Sequence, residues 1–165
     1  GSWQTESDTW KLINTLGAFV TPVVLEEYRD SSVIEALRDK DVVWINGGMC
    51  GYLLYWLRRC EVDRHMTTLL ERSVYVGSSA GAMVCGPTFY NGNPYEEIGA
   101  QVIPGLNLVN FDIFPHYEDS MHDLIDSNYK GNKIYLLKNG EAITVVDKKV
   151  EILGEERIIL RNQYN

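Results

Sequence analysis

The sequence predicts an α/β fold: a mostly parallel sheet flanked by helices, with antiparallel strands at its C-terminal end. Three observations predict it. Helical and strand-like patterns alternate through the first half of the chain, as they must when helices connect parallel strands. Asp41–Ile45 (DVVWI) is a short apolar run with no polar face, the pattern of a strand covered on both sides. The last third instead holds three strand-like runs in close succession, KIYLLK, AITVVD and KVEIL.

Asp8–Leu16 carries apolar residues at helical spacing, and Ala18–Leu25 (AFVTPVVL) is a β-rich run interrupted by Pro22, so a helix and then a strand are expected. Ser31 or Ser32 is placed to cap a helix ending near Lys40. After the DVVWI strand, Asn46-Gly47-Gly48 forms a tight turn. Gly51–Arg59 and Val62–Arg72 follow as helices, the second amphipathic. A short strand then enters Gly77-Ser78-Ser79-Ala80-Gly81. Gly86–Pro94 is a Gly/Asn/Pro-rich loop, and Ile98–Leu108 leads into a strand over Phe111–Phe114 that closes on Pro115-His116. We see no repeat, low-complexity tract or linker, so residues 3–165 read as a single domain, with Gly1-Ser2 as a cloning remnant.

The formal charge of −8 on 165 residues argues against nucleic acid or an anionic membrane as partner, since both need a cationic surface. No apolar run is long enough to span a membrane, and no signal-peptide pattern opens the chain, so a soluble cytoplasmic protein is expected. Cys50, Cys60 and Cys85 are odd in number and lack a C-x-x-C pair, which disfavours a disulfide framework or zinc site. No cofactor or metal is expected.

The chemistry concentrates at strand ends. Gly77-Ser78-Ser79-Ala80-Gly81 fits the G-x-S-x-G nucleophile elbow, in which a strand turns sharply into a helix and leaves the serine hydroxyl exposed. Small neighbours are required there because a bulky Cβ would collide with the adjoining strand or helix. Ser79 is then the nucleophile, and the amide of Ala80 faces the developing oxyanion. His116, stiffened by Pro115, ends another strand and can serve as general base. His65 and His122 lie in polar stretches and are read as surface residues.

Asn46-Gly47-Gly48, Gly77-Ser78-Ser79-Ala80-Gly81-Ala82 and Phe114-Pro115-His116-Tyr117, in that order, resemble the dipeptidase E and cyanophycinase family of serine peptidases. Pro104-Gly105-Leu106 and the closing Leu137-Lys138-Asn139-Gly140-Glu141-Ala142 resemble it too, so the likeness runs from about Asp41 to Gly154. It implies a flavodoxin-like fold similar to that of class I glutamine amidotransferases, and hydrolysis of a peptide bond near a chain end in a small peptide substrate. It carries over Ser79 as nucleophile, His116 as base, and the amides of Gly48 and Ala80 as oxyanion donors. The family's acid comes from the loop between serine and histidine. Glu97 is our choice there, with Glu96 and Asp112 as alternatives.

Departures from the family are visible. Met49 and Cys50 stand where Asn and Thr usually follow the glycines. The family's opening strand and helix have no counterpart here, so a first βα unit is expected to be missing or divergent. The loss would leave a sheet edge that a second chain, as in a homodimer, could cover. In aspartyl dipeptidases of the family an arginine follows the histidine loop, whereas Tyr117–Tyr129 has no cation and holds Glu118, Asp119, Asp123 and Asp126. Neutral or basic amino-terminal residues are therefore the expected substrates, unless Lys130 or Arg58 supplies the charge. The alternative to an exopeptidase is an inactive binding or assembly module on the same scaffold. An α/β-hydrolase esterase is disfavoured by chain length, and an amidotransferase by serine in place of cysteine.

Overall fold

The computed structural model describes residues 8–89 and 103–161. Helix α1 (Asp8–Thr15) is followed by irregular chain, the short α2 (Leu25–Tyr28) and α3 (Val33–Leu37). Strand β1 (Val42–Ile45), helices α4 (Cys50–Arg59) and α5 (Val62–Leu69), β2 (Val74–Gly77) and α6 (Ala80–Val84) come next. β3 (Thr88–Phe89), β4 (Ile103–Pro104) and β5 (Asp112–Phe114) lead to a 3-10 turn and α7 (His122–Asn128). Four strands close the described chain: β6 (Lys133–Leu136), β7 (Ala142–Val146), β8 (Lys149–Leu153) and β9 (Ile158–Leu160).

The pairing is α/β with parallel ladders and antiparallel additions, as the sequence predicts. β1 and β2 are parallel with Ile45 opposite Gly77, and β5 and β6 are parallel with Phe114 opposite Leu136. β9 adds antiparallel to β6, and β7–β8 is a hairpin. Its turn residues Asp147 and Lys148 both have positive φ, 50° and 65°, the conformation whose twist matches the two strands. β9 is an element that the sequence pattern did not announce.

The core forms where apolar positions recur. α4 buries Cys50, Leu54 and Leu57, and α5 buries Val62, Met66 and Leu69, each set at i, i+4 and i+7. Both pack with Val33, Val43, Ile45 and Val84 into one cluster. Two further clusters lie around β5 and β6. One gathers Phe111, Ile113 and Tyr135 beneath the β7–β8 hairpin, and the other gathers Tyr117, Ile125, Tyr129 and Ile134.

Local departures have local causes. Ala18–Leu25 forms no strand: Pro22 removes a donor, and β1 is bonded only to β2 among the described residues. An apolar groove of about 740 Å³ lies beside β1, lined by Leu16, Phe19, Pro22 and Trp44 among others, and it reaches Gly47 and Gly48. Val42 at the head of β1 is 48% exposed, so the DVVWI strand is not covered on both faces throughout. At α3, Ser32 makes no side-chain cap. The chain turns instead on Asp30, whose carboxylate accepts the Ser32 amide at 2.9 Å; the Ser32 hydroxyl together with that amide holds its carboxyl below the usual carboxylate range. α5 ends at Leu69, three residues before the expected Arg72.

Candidate active site

The elbow is built by close backbone contacts. The β1–β2 ladder continues through Ser78, whose amide donates to the Ile45 carbonyl at 3.0 Å, and α6 starts at the next turn. A Cβ on Gly77 would stand 2.6 Å from the Gly81 carbonyl oxygen, and one on Gly81 would overlap the Ile45 carbonyl. Both glycines are thus demanded by space. The Tyr75 hydroxyl donates to the Gly81 carbonyl at 2.6 Å and fixes the first turn of α6, while burial pushes its ionisation up. Between the glycines Ser79 has φ 54° and ψ −116°, a conformation that L residues hold only when the surroundings impose it.

His116 arrives from β5. The β5–β6 ladder extends beyond its last pair, with Leu137 N donating to Phe114 O at 2.9 Å and Tyr117 N to Leu137 O at 2.9 Å. His116 bulges out between these bonds at φ 56°, like Ser79 a non-glycine residue with positive φ. Its Nε2 lies 3.0 Å from Ser79 Oγ. A ring nitrogen at that distance can take the hydroxyl proton as the oxygen becomes a nucleophile.

The other ring nitrogen meets a residue that the sequence reading gave no role. His116 Nδ1 is 2.7 Å from Asn139 Oδ1. Asn139 lies three residues past the end of β6, and the register that pairs Phe114 with Leu136 runs the 137–139 segment alongside His116. That register was the available signal.

Glu97 and Glu96 lie outside the described residues. Asp112 lies within them and has another occupation. It is 2% exposed and accepts from the Thr88 amide at 2.9 Å, the Thr88 hydroxyl at 2.8 Å and the Tyr129 hydroxyl at 2.6 Å. Burial, and then the facing Asp112 carboxylate, push the ionisation of Tyr129 up. Asp112 therefore ties β3 and the end of α7 to β5, and no bond joins it to the imidazole. His65 and His122 are exposed, in line with the sequence reading. The three cysteines are buried and form no disulfide. Burial pushes Cys85 up to about 12, which keeps it a thiol.

Gly47 and Gly48 border the nucleophile. Gly48 has φ 137°, open only to glycine, and a Cβ on Gly47 would come 3.1 Å from Ser79 Cβ and 3.3 Å from its Oγ. On the opposite side Ala80 begins α6, so its amide is one of the helix donors without an intrahelical acceptor. Among the described residues no group of three or more His, Cys, Asp or Glu side chains could hold a metal, and no helix is long and apolar enough to cross a membrane.

The turn carrying Asn139 is clamped from below. Glu141 accepts from the Lys138 amide at 2.8 Å and the Glu155 amide at 3.2 Å, and pairs with Arg157 at 2.8 Å. The guanidinium and two amides hold its carboxyl down to about 2. Lys138 pairs with Asp119 at 2.8 Å, and Arg161 pairs with Asp126 at 2.9 Å.

Comparison with known proteins identifies the family. The family model for peptidase family S51 matches residues 5–153. An uncharacterized peptidase of Listeria monocytogenes is 27% identical over 150 residues, covering 85% of this chain and 73% of its own. Peptidase E of Nostoc sp. is 27% identical, covering 76% of this chain and 57% of its own. The probable alpha-aspartyl dipeptidase of Drosophila melanogaster is 30% identical, covering 73% and 56%. Among solved structures, a Listeria monocytogenes EGD-e protein described as a peptidase E superposes with a TM-score of 0.71 at 24% identity, over 90% of this chain and 79% of its own. A peptidase from an acI-B1 Actinobacterium gives 0.66 at 18% identity, over 98% and 79%. These structures share the fold. With the family model spanning nearly the whole chain, the chain belongs to peptidase family S51, a family of serine peptidases.

Proposed function

We propose that this peptidase is an exopeptidase of dipeptides or short peptides, with Ser79 as nucleophile and His116 as general base. The observation that carries the proposal is the 3.0 Å approach of His116 Nε2 to the hydroxyl of a serine held at φ 54° on a strand-to-helix elbow. His116 takes the Ser79 proton as Oγ bonds to the scissile carbonyl carbon. The carbonyl electron pair moves onto oxygen, between the amides of Gly48 and Ala80. Collapse of that tetrahedral species breaks the C–N bond, and the imidazolium gives its proton to the leaving amine. Water, deprotonated by the same imidazole, then releases the acyl group and restores Ser79. Preorganised donors act on the charge as it develops, where one such hydrogen bond supports about a hundred- to a thousandfold in rate.

Substrate class follows from charge near the histidine. Two acids of the 117–129 segment are engaged, Asp119 by Lys138 and Asp126 by Arg161, while Glu118 and Asp123 are exposed. Arg58 is turned to the Pro104 carbonyl at 2.5 Å. This favours peptides with a neutral or basic amino-terminal residue. A fluorophosphonate probe with peptide mapping tests the catalytic assignment. Labelling at Ser79, lost with Ser79→Ala while the fold is retained, is expected. A protein with peptidase activity that survives Ser79→Ala would overturn it, and a folded protein that neither labels nor hydrolyses would instead be a binding module.

A further inference from the structure

We infer that Asn139 is the residue that positions His116, in the place the sequence assigned to Glu97, so that the relay reads Ser79, His116, Asn139. The inference rests on the Ser79–His116 reading above and adds its third member. A neutral imidazole carries one proton on one of two nitrogens, and only the Nδ1–H form leaves Nε2 free to accept from a serine hydroxyl. What selects that form is an acceptor on Nδ1. Asn139 Oδ1 stands there at 2.7 Å, and a carbonyl oxygen accepts and cannot donate. A single N–H pointed at one acceptor at this distance is satisfied, so no second acceptor is required at Nδ1.

The carrier of Asn139 is built to hold it. The 138–141 turn closes with Glu141 N on Lys138 O at 3.2 Å, and Gly140 supplies the φ of 90° that the turn needs. Glu141 then pins the turn through the Lys138 amide, and is itself pinned by Arg157, both side chains being 14% exposed. A residue of no consequence on an exposed turn would not need such support. An amide also differs from a carboxylate in what it does for the transition state. It fixes the tautomer and ring orientation and adds no full negative charge against the imidazolium.

Asn139 is exposed at the tip of its turn, so its replacement leaves the folded core untouched. The test uses the whole chain labelled with 15N-histidine. There are three histidines, and comparison with His116→Gln assigns the signals of His116. The Nδ1–H tautomer is expected in the wild type, conversion toward Nε2–H in Asn139→Ala, and retention of Nδ1–H in Asn139→Asp, which keeps an acceptor. In parallel, Asn139→Ala should lower kcat by roughly a hundred- to ten-thousandfold with KM within a few-fold, the scale seen when a histidine base loses its proper tautomer, and Asn139→Asp should recover much of it. An unchanged His116 tautomer in Asn139→Ala would overturn the inference, as would a larger kcat loss from Glu97→Gln than from Asn139→Ala. The spectrum reads the tautomer without turnover. Failure of the serine mechanism, seen as a Ser79 that no fluorophosphonate labels, is therefore distinguishable from failure of this assignment.

Discussion

Gly47 offers a sharp test of how closely the site is built, because a single methyl group there crowds the nucleophile and otherwise only grazes the Ser78 carbonyl. The Cβ of an alanine at this position would lie 3.1 Å from Ser79 Cβ and 3.3 Å from Ser79 Oγ. Ordinary carbon–carbon contact begins near about 3.5 Å, so one side must yield by roughly 0.3 to 0.5 Å. Gly47 is not among the glycines with positive φ, so alanine suits its backbone and the protein should fold. Ser79 is held at both ends, by β2 and by α6, and its hydroxyl is the part free to turn. Turning away from the methyl group changes the 3.0 Å bond to His116. An ångström of misplacement at a reacting centre costs on the order of a hundredfold in rate, and a third to a half of that, with a methyl group also beside the incoming carbonyl, gives about tenfold to a hundredfold in kcat/KM. In free energy that is about 1.4 to 2.8 kcal/mol of transition-state stabilisation. The assay is kcat/KM on a cleaved peptide together with the melting temperature. Wild-type kcat/KM at an unchanged melting temperature would refute the packing argument, since the methyl group would then have found room without moving Ser79.

Other outcomes are equally direct. Asp112→Asn should lower thermal stability by about 1 to 3 kcal/mol, since an amide cannot accept from all three donors and leaves one unsatisfied. Its kcat at a temperature where it is folded should stay within about tenfold of wild type, and a loss of several orders would restore Asp112 to the catalytic set. Glu141 has a folded pKa of about 2 against an ordinary 4.5, so its contribution to stability is present above about pH 4.5 and fades as pH falls toward 2. In Glu141→Gln the urea midpoint measured across that window should vary less with pH than in the wild type, and an identical slope would contradict the Arg157 clamp. Across a panel of X-Leu dipeptides, Asp-Leu should be the poorest and should improve with salt as exposed Glu118 and Asp123 are screened. A preference for Asp-Leu would show that a cation reaches the pocket.

What the sequence determined by itself was the set of local requirements. Gly77 and Gly81 around Ser79 announced a strand-to-helix elbow, and the structure shows the collisions that forbid anything larger at either position. The i, i+4, i+7 pattern of α4 and α5 was readable because burial on one helix face repeats at helical spacing. The fold class followed from the same periodicities. Strand formation in Ala18–Leu25 could not be read this way, because a strand exists only if a neighbour offers its edge, and propensity says nothing of neighbours. Tertiary structure alone decided the partner of His116 Nδ1. Twenty-three residues separate His116 from Asn139 in sequence, and they meet because β5 and β6 are parallel in one particular register. The same pairing decided the fate of Asp112. As an acid four residues before the histidine it looked available, but it is buried on β5, where Thr88 and Tyr129 use its oxygens. Side-chain chemistry is local and can be read from the chain, whereas which groups come within 3 Å of each other depends on strand register, set by burial across the whole sheet.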